Sequence, residues 1–331
     1  MSIMALRSEV DQLGELCNRH QQIMILGHKD ADGDTLGCSL AFAEALQARG
    51  KQVWVVMPQP LSQKYAWMPG FDRIVDRPPE DADVQLVLFF DSGSIERSGS
   101  AGAHIREHAT IVNVDHHPSN SRFGDVNIVD PEASAVGQMC LDMLEHFRWR
   151  ITPTMATNLY TALMTDTGGF RHENTTRRAL RDAARLASLG TDPSYVASMV
   201  YKSRSLTTVR LSALAVASMQ VEMDGRLAWA KVTRRMLRDA GAVMAESEDI
   251  IDTLNSLAGL DVAIIFKEIG AKLTKISVRS RGAVDAAALC GQFGGGGHLR
   301  AAGAEVPLRL DEAVPTVLEA AREAIEGARR A

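Results

Sequence analysis

This sequence has few cysteines, no long apolar run and no excess of positive charge. Its four cysteines are widely spaced and form no C-x-x-C pair, which argues against a disulfide framework or a structural zinc site and favours a cytoplasmic location. No apolar run approaches the roughly 20 residues of a membrane span, and residues 1–20 predict a helix rather than a signal peptide. The net charge of −5 and the lack of a basic tail argue against the binding of long duplex nucleic acid.

What is present fits a globular protein with two domains. The chain has 331 residues, of which 46% are hydrophobic and 23% are charged. Strands predicted at 23–26, 53–57, 85–90 and 110–114 alternate with helices, which predicts an α/β domain with a doubly wound, mainly parallel sheet. We assign this N-terminal domain to residues 1–190.

The pattern changes in the second half of the chain. Helices predicted within residues 191–219 form a linker, and Asp224-Gly225 is a strong hairpin signal just after it. Further strands at 262–267 and 273–279 and helices at 284–292 and 311–328 follow. Residues 220–331 are therefore predicted to form a smaller α+β domain.

The triplet Asp115-His116-His117 follows the short, β-branched strand predicted at 110–114. It therefore stands at the carboxyl end of a strand, and ligands bind at that edge of open α/β sheets. The same pattern of a strand followed by an acid or an imidazole recurs along the chain. Six such polar residues at predicted strand ends are His28, Asp32, Asp34, Asp91, His116 and Asp166.

With Asp115 and His117 beside them, these residues place five carboxylates and three imidazoles at one sheet edge. Such a group would repel itself or stay poorly solvated without cations. Mixed nitrogen and oxygen donors suit manganese, iron, cobalt or zinc better than calcium. Six ligands suit two ions, roughly 3.5–4 Å apart, that share a carboxylate and a water. Asp91, alone on its strand, is the best candidate for the shared carboxylate.

Five motifs that follow one another in order resemble those of the DHH phosphoesterase superfamily with its DHH-associated C-terminal domain. They are H-x-x-x-D-x-D from His28, the strand-terminal Asp91, N-V-D-H-H at 113–117, T-D-T-G-x-F at 165–170 and G-G-G-G-H-x-x-A-A-G at 294–303. The two-domain layout is similar to the nanoRNase and 3′-phosphoadenosine-5′-phosphate phosphatase branch. Ala31 departs from the family pattern, since many relatives carry proline there, but no ligand is lost.

The resemblance implies two divalent metal ions, with Mn²⁺ favoured over Mg²⁺, Co²⁺ or Fe²⁺. The implied ligands are His28, Asp32 and Asp91 for one ion, and Asp34, Asp91, His116 and Asp166 for the other. Asp115 would lie behind the ligands and orient an imidazole. The catalytic residues would be Asp91, as the bridge, and His117, which would give a proton to the leaving oxygen after in-line attack of the shared water on phosphorus.

The C-terminal domain is expected to bind substrate. Its glycine-rich segment can present backbone N–H groups to a phosphate, as glycine-rich loops do. The nucleotide phosphate distant from the metals would dock on this domain, across a cleft from the metal ions. The substrate-binding candidates are Arg279, Ser280, Gly295, Gly296, Gly297, His298 and Arg300.

The leading hypothesis is hydrolysis of short oligonucleotides or dinucleotides to 5′-mononucleotides, together with hydrolysis of 3′-phosphoadenosine-5′-phosphate to AMP. A cyclic-dinucleotide phosphodiesterase, a family II-like inorganic pyrophosphatase and a non-catalytic nucleotide sensor stay as alternatives. The expected partners are short RNA or DNA or single nucleotides, with no long duplex and no membrane. A homodimer is left open.

Overall fold

The computed structural model describes residues 6–330, and the chain divides into two compact units, Met1–Ser203 and Arg204–Ala331. In the first unit, two helices flank the first strand, four more strands follow, and four helices come after them. Its elements are α1 (Arg7–Arg19), β1 (Gln22–Leu26), α2 (Gly33–Gln47), β2 (Gln52–Val56), β3 (Leu86–Phe90), β4 (Thr110–Asp115), β5 (Val126–Val129), α3 (Val136–His146), α4 (Pro153–Asp166), α5 (Arg177–Ser188) and α6 (Pro193–Tyr201).

The five strands of the first unit form one parallel sheet in the order β2-β1-β3-β4-β5. Every residue of β3 is buried, as expected of a central strand covered on both faces. The strand order reverses between β1 and β3, and in open α/β sheets ligands bind outside the carboxyl ends of the strands at such a point. The predicted α/β fold with a parallel sheet is confirmed.

Close packing of α2, α3 and α4 depends on two glycines. A Cβ atom on Gly37 would lie 2.4 Å from the carbonyl oxygen of Asn158, and one on Gly137 would lie 2.6 Å from the Cβ of Ala162. A side chain at either position would push α4 away. This packing matters for the site, because α2, α3 and α4 each bring a group to the same sheet edge.

The second unit contains a six-stranded mixed sheet in the order β10-β11-β9-β8-β7-β6, in which β7 and β8 pair in parallel and the other neighbours are antiparallel. This agrees with the predicted α+β class. Its elements are α7 (Leu206–Ala217), β6 (Gln220–Glu222), β7 (Leu227–Val232), α8 (Arg234–Ala240), α9 (Ile250–Asn255), β8 (Val262–Gly270), β9 (Leu273–Ser280), α10 (Ala286–Gly291), β10 (Gly296–His298), β11 (Ala301–Val306) and α11 (Leu310–Arg330).

The structure corrects part of the predicted layout. Asp34 lies in the first turn of α2 and Asp166 is the last residue of α4, so neither ends a strand. Strands β5, β10 and β11 and helices α8 and α9 were not predicted. Helix α6 belongs to the first unit and α7 to the second, and the role of residues 191–219 as a linker stays a prediction. None of the described helices is long and apolar enough to span a membrane.

Candidate metal centre

The carboxyl ends of β1, β3 and β4 meet at one edge of the parallel sheet. His28 is the second residue after β1, Asp91 directly follows β3, and Asp115-His116-His117 begins at the last residue of β4. The N–H of Asp91 donates to the carbonyl of Val114 at 3.0 Å, which fixes this corner against the neighbouring strand. The topology thus brings together residues that are far apart in the sequence.

Asp91 lies between two of these imidazoles. Its φ of 58° is in the left-handed region, which aspartate and asparagine tolerate better than most residues. Nε2 of His28 lies 3.5 Å from its Oδ2, and Nε2 of His116 lies 3.7 Å from its Oδ1. Thr35 Oγ1 also donates to Oδ2 at 2.7 Å. The two oxygens of Asp91 therefore face different neighbours, as suits a carboxylate that bridges two ions through separate oxygens.

Two groups of donor atoms share Asp91. The ligand atoms of His28, Asp32 and Asp91 lie within 4.8 Å of one another, and so do those of Asp34, Asp91 and His116. Asp32 caps α2 through Oδ1, which accepts hydrogen bonds from two backbone N–H groups at 3.0 and 3.1 Å. Its Oδ2 is therefore left to bind a metal ion. Nδ1 of His28 is buried and has no hydrogen-bond partner among the described residues.

Backbone groups hold Asp34 and His116 in place. The fully buried carboxylate of Asp34 accepts from the N–H of Val136 at 2.7 Å and of Gly137 at 2.9 Å, and these N–H groups begin α3. Nδ1 of His116 lies 3.0 Å from the carbonyl oxygen of Ala133, and it must donate because a carbonyl only accepts. In the neutral ring, Nε2 then carries the lone pair that a metal ion needs.

Asp166 reaches the same place from the end of α4. Its Oδ2 lies 3.7 Å from Nε2 of His116. Asn174 Nδ2 donates to the backbone carbonyl of Asp166 at 3.2 Å and also lies 3.4 Å from Oδ2. The predicted ligands His28, Asp32, Asp34, Asp91, His116 and Asp166 are thus gathered at one edge, and their binding of metal stays a prediction.

Crowding of acids changes the pKa values of these groups. Burial raises the pKa of Asp34 well above its usual range, and the charges of Asp91 and Asp166 raise it further. Burial raises the pKa of Asp166 to about 7, although His116 opposes the shift. Burial alone would lower the pKa of His116, but Asp166, Asp34 and Asp91 together raise it to about 10. In the absence of a cation, each of these groups therefore keeps its proton to a higher pH than usual.

The donor set fits divalent ions. The separations of 3.5–3.7 Å between imidazole nitrogens and carboxylate oxygens exceed the usual hydrogen-bond range. Two atoms that each bind one ion at about 2.1 Å lie roughly 3–3.5 Å apart, so ions could join these donors with small adjustments. The nitrogen and oxygen donors suit a first-row transition metal, and the positive charge would offset the crowded carboxylates.

Metal binding should release protons, because metal ligands must be deprotonated and the pKa values of Asp34, Asp166 and His116 are raised. The affinity for Mn²⁺ should therefore increase as pH rises from 6 to 8. Titration calorimetry at pH 7 in two buffers of different ionisation enthalpy would measure the protons released. A binding enthalpy that is the same in both buffers would contradict this prediction.

His117 is anchored by Asp115. Its Nδ1 lies 2.7 Å from Oδ1 of Asp115, while Oδ2 of Asp115 accepts from Asn120 Nδ2 at 2.6 Å. Burial alone would lower the pKa of His117, but the bond to Asp115 and the charge of Asp91 raise it. Asp115 therefore orients His117, whereas a backbone carbonyl orients His116. A protonated imidazole held in this way can serve as a general acid.

Sequence analysis missed three residues that hold this centre. Thr35 donates to Asp91, Asn120 supports Asp115, and Cys38 donates to Asp34. Asn120 could have been suspected, because it lies three residues after the triplet. The other two follow Asp32 in the first turns of α2, where a helical repeat returns side chains to the same face every three or four residues.

The arginines and the serine predicted to bind substrate are partly engaged within the second unit. Arg279 Nη1 donates to the carbonyl of Val278 at 3.3 Å, whereas its Nε lies 3.8 Å from Asp252 Oδ1 and has no hydrogen bond among the described residues. Ser280 Oγ is buried and lies 2.8 Å from the carbonyl oxygen of Val284, to which it can donate. Arg300 Nη1 donates to the same carbonyl at 3.0 Å. The Nε–H of Arg279 is thus left for a phosphate.

The glycine-rich segment is a strand edge rather than an open loop. Gly296–His298 form β10, which pairs with β11. A Cβ atom on Gly295 would lie 2.2 Å from the carbonyl oxygen of Gly303, and one on Gly297 would lie 2.5 Å from that of Ala301. Packing thus accounts for Gly295 and Gly297. A Cβ on Gly296 would project into open space, so packing does not explain that glycine.

Comparison with known proteins gives matches over both units. The model of the DHH family N-terminal domain matches residues 22–165, and that of the DHHA1 domain matches residues 224–327. The chain is 34% identical to the bifunctional oligoribonuclease and PAP phosphatase NrnA of Thermus thermophilus, over 91% of this chain and 89% of the relative. The protein of the same name from Bacillus subtilis is 25% identical, over 87% of this chain and 90% of the relative.

A solved structure supports the same grouping. The crystal structure of an exopolyphosphatase-related protein from Bacteroides fragilis has a TM-score of 0.87 and 25% identity, covering 97% of this chain and 96% of the other. The fold, the donor groups and these matches define the class of protein, which is a metal-dependent phosphoesterase. Within that class, the chain belongs to the DHH family and carries a DHHA1 domain, which confirms the predicted resemblance.

Proposed function

We propose that this protein uses two divalent ions to hydrolyse short oligonucleotides, including dinucleotides, to 5′-mononucleotides, and that it also converts 3′-phosphoadenosine-5′-phosphate to AMP. The observation that carries the proposal is the sharing of Asp91 between two donor groups, which suits a pair of ions. The names of the relatives from Thermus thermophilus and Bacillus subtilis support the substrate class.

We assign the ions, with Mn²⁺ favoured, to the two donor groups, and add Asp166 to the second because of its distance from His116. Bound ions would acidify a water and offset charge on the phosphoryl group. The proposed ligands are His28, Asp32 and Asp91 for one ion, and Asp34, Asp91, His116 and Asp166 for the other.

The remaining residues of the centre move and hold the proton. His117 donates a proton to the leaving oxygen, and Asp115 keeps the ring in the orientation and charge state that this requires. Asn120 in turn fixes Asp115, because its amide donates to the oxygen that His117 does not contact.

The second domain contributes substrate binding in this proposal. Arg279, His298 and Arg300 contribute cationic or polar side chains, and Gly296 leaves open space where a side chain would otherwise project. A guanidinium suits a phosphate because it donates several hydrogen bonds in one plane. The roles of Ser280, Gly295 and Gly297 as direct contacts are less favoured, since internal bonds and packing account for them.

A substrate panel tests the function. The Mn²⁺-loaded protein should release mononucleotides from a dinucleotide and from a five-residue oligomer faster than from a 24-residue oligomer, and should release phosphate from 3′-phosphoadenosine-5′-phosphate. The panel should include a cyclic dinucleotide and pyrophosphate, which represent the alternative enzymes. Preferred turnover of either one would replace the proposed substrate class, and binding without any turnover would favour a sensor.

Arg279→Ala should separate substrate binding from bond cleavage. Charge-assisted contacts to phosphate contribute about 1.5–3 kcal/mol, so kcat/KM for a dinucleotide should fall roughly ten- to a hundredfold. A bis(nitrophenyl) phosphate offers no second nucleotide phosphate, so its hydrolysis should change less than about threefold. Steady-state kinetics on both substrates would provide the comparison.

Arg322→Ala is the matched control for this prediction. Arg322 lies in the same domain but pairs with Glu222, with Nη2 2.8 Å from Oε2. It should leave both reactions close to the wild-type rate. Equal losses for both substrates in Arg279→Ala would show that Arg279 does not act by binding the distant phosphate.

A further inference from the structure

Cys38 lies one helical turn after Asp34 on α2. It is fully buried, and its Sγ lies 3.2 Å from Oδ1 of Asp34, which it reaches as a donor. Its thiol also contacts that of Cys140 on α3, the helix whose first N–H groups bind Asp34. A buried neutral thiol is both a weak donor and a poor metal ligand, so Cys38 acts on the carboxylate rather than on an ion.

The hydrogen bonds of Asp34 can be counted against its lone pairs. Each oxygen of an ionised carboxylate has two lone pairs. Oδ1 accepts from the N–H of Gly137 at 2.9 Å and from Cys38 at 3.2 Å, while Oδ2 accepts from the N–H of Val136 at 2.7 Å. These three bonds use both lone pairs of Oδ1 and one of Oδ2, so one lone pair is left on Oδ2.

We propose that Cys38 is a positioning residue of the metal centre, whose S–H bond to Oδ1 makes Asp34 bind one ion through Oδ2 alone. Without the thiol, the two backbone N–H groups still hold the carboxylate, but Oδ1 regains a lone pair that competes with Oδ2 for the ion. The carboxylate is then no longer fixed in one binding mode, which costs affinity at the ion that Asp34 would share with Asp91 and His116. The inference rests on the proposed two-ion function, because it takes Asp34 as a ligand.

Three substitutions in the full-length protein separate positioning from packing. Cys38→Ala removes the donor, Cys38→Ser keeps a donor, and Cys140→Ala removes a thiol of the same size from the same packed region. Alanine favours the helix, so α2 and α3 should persist. In each variant, the stoichiometry and affinity of Mn²⁺ would be measured by titration calorimetry and by the electron paramagnetic resonance of unbound Mn²⁺, with Tm as a check on folding.

The expected result is a selective loss at one of two ions. Losing a partner that orients a metal ligand typically lowers affinity about 10–100-fold, and a thiol bond should lie near the lower limit. Cys38→Ala should therefore weaken one Mn²⁺ about tenfold and leave the other unchanged. Cys38→Ser and Cys140→Ala should stay within about threefold of the wild type. Equal losses of Mn²⁺ affinity in Cys38→Ala and Cys140→Ala would show that packing, not positioning, is responsible. A Cys38→Ser variant that binds Mn²⁺ as weakly as Cys38→Ala would show the same.

Asp34→Asn distinguishes failure of this inference from failure of the proposed function. If Asp34→Asn loses one ion while Cys38→Ala binds both like the wild type, Cys38 does not position Asp34 and the two-ion function stands. If Asp34→Asn keeps two tightly bound ions, Asp34 is not a ligand. The proposed centre and the role of Cys38 would then both be wrong.

Discussion

Asp91→Asn is expected to give a folded protein that binds no more than one Mn²⁺ tightly and has lost its activity. An amide offers one oxygen and no charge, so it cannot bridge the groups that contain His28 and His116. The charge stabilisation from a metal ion amounts to several kcal/mol, so the loss should be on the order of 10³-fold or more. Asparagine is preferred to alanine because the backbone of Asp91 is left-handed, with φ at 58°.

Metal analysis after gel filtration, Tm and turnover of a dinucleotide would test this expectation. The matched control is Asp130→Asn, which changes another buried aspartate just after a strand of the same sheet. Asp130 Oδ1 accepts from the N–H of Glu132 at 3.2 Å, a bond that asparagine can keep. The control should retain both ions and most activity. Two tightly bound ions in Asp91→Asn would show that the bridge is another residue.

The site could be predicted from sequence wherever its residues follow a strand. A short buried strand is visible in the sequence, and parallel strands necessarily end at a common edge. His28, Asp91 and the triplet 115–117 were placed in this way, and the structure gathers them there. Asp34 and Asp166 also lie at this edge as predicted, but helices bring them there rather than strand ends, and no local pattern shows how a helix is oriented.

Contacts between distant segments lie beyond such reasoning. The N–H groups that bind Asp34 belong to Val136 and Gly137, which follow it by 102 and 103 positions in the sequence. Gly37 and Gly137 allow this contact, yet each reads in the sequence as an ordinary helical glycine. Strand β10 was missed for a related reason. Its glycines favour a loop by propensity, whereas in the structure two of the four provide the room for close strand pairing.

The second large effect is expected at His117. Its ring is held by Asp115 at 2.7 Å and its pKa is raised above the usual value, which favours the protonated ring that a general acid needs. His117→Ala should keep both Mn²⁺ ions and slow dinucleotide hydrolysis about 10²–10⁴-fold, the range typical of general acid catalysis. The loss should be far smaller for a nucleoside nitrophenyl phosphate, since nitrophenolate leaves without a proton. The ribose oxygen of a dinucleotide, by contrast, needs a proton in order to leave.

Metal content and leaving-group dependence together decide the role of His117. The ligand atoms of His117, Asp91 and Asp115 also lie within 4.8 Å of one another, so a metal-binding role has to be tested directly. Loss of an ion in His117→Ala would make it a ligand. Equal slowing for both leaving groups would assign it to phosphate binding. His146→Ala, which removes a partly exposed imidazole paired with Asp11, should change neither property. If His117→Ala keeps both ions and slows only the substrate with the poor leaving group, His117 acts as a proton donor. A good leaving group departs without a proton, so its hydrolysis does not depend on that donor.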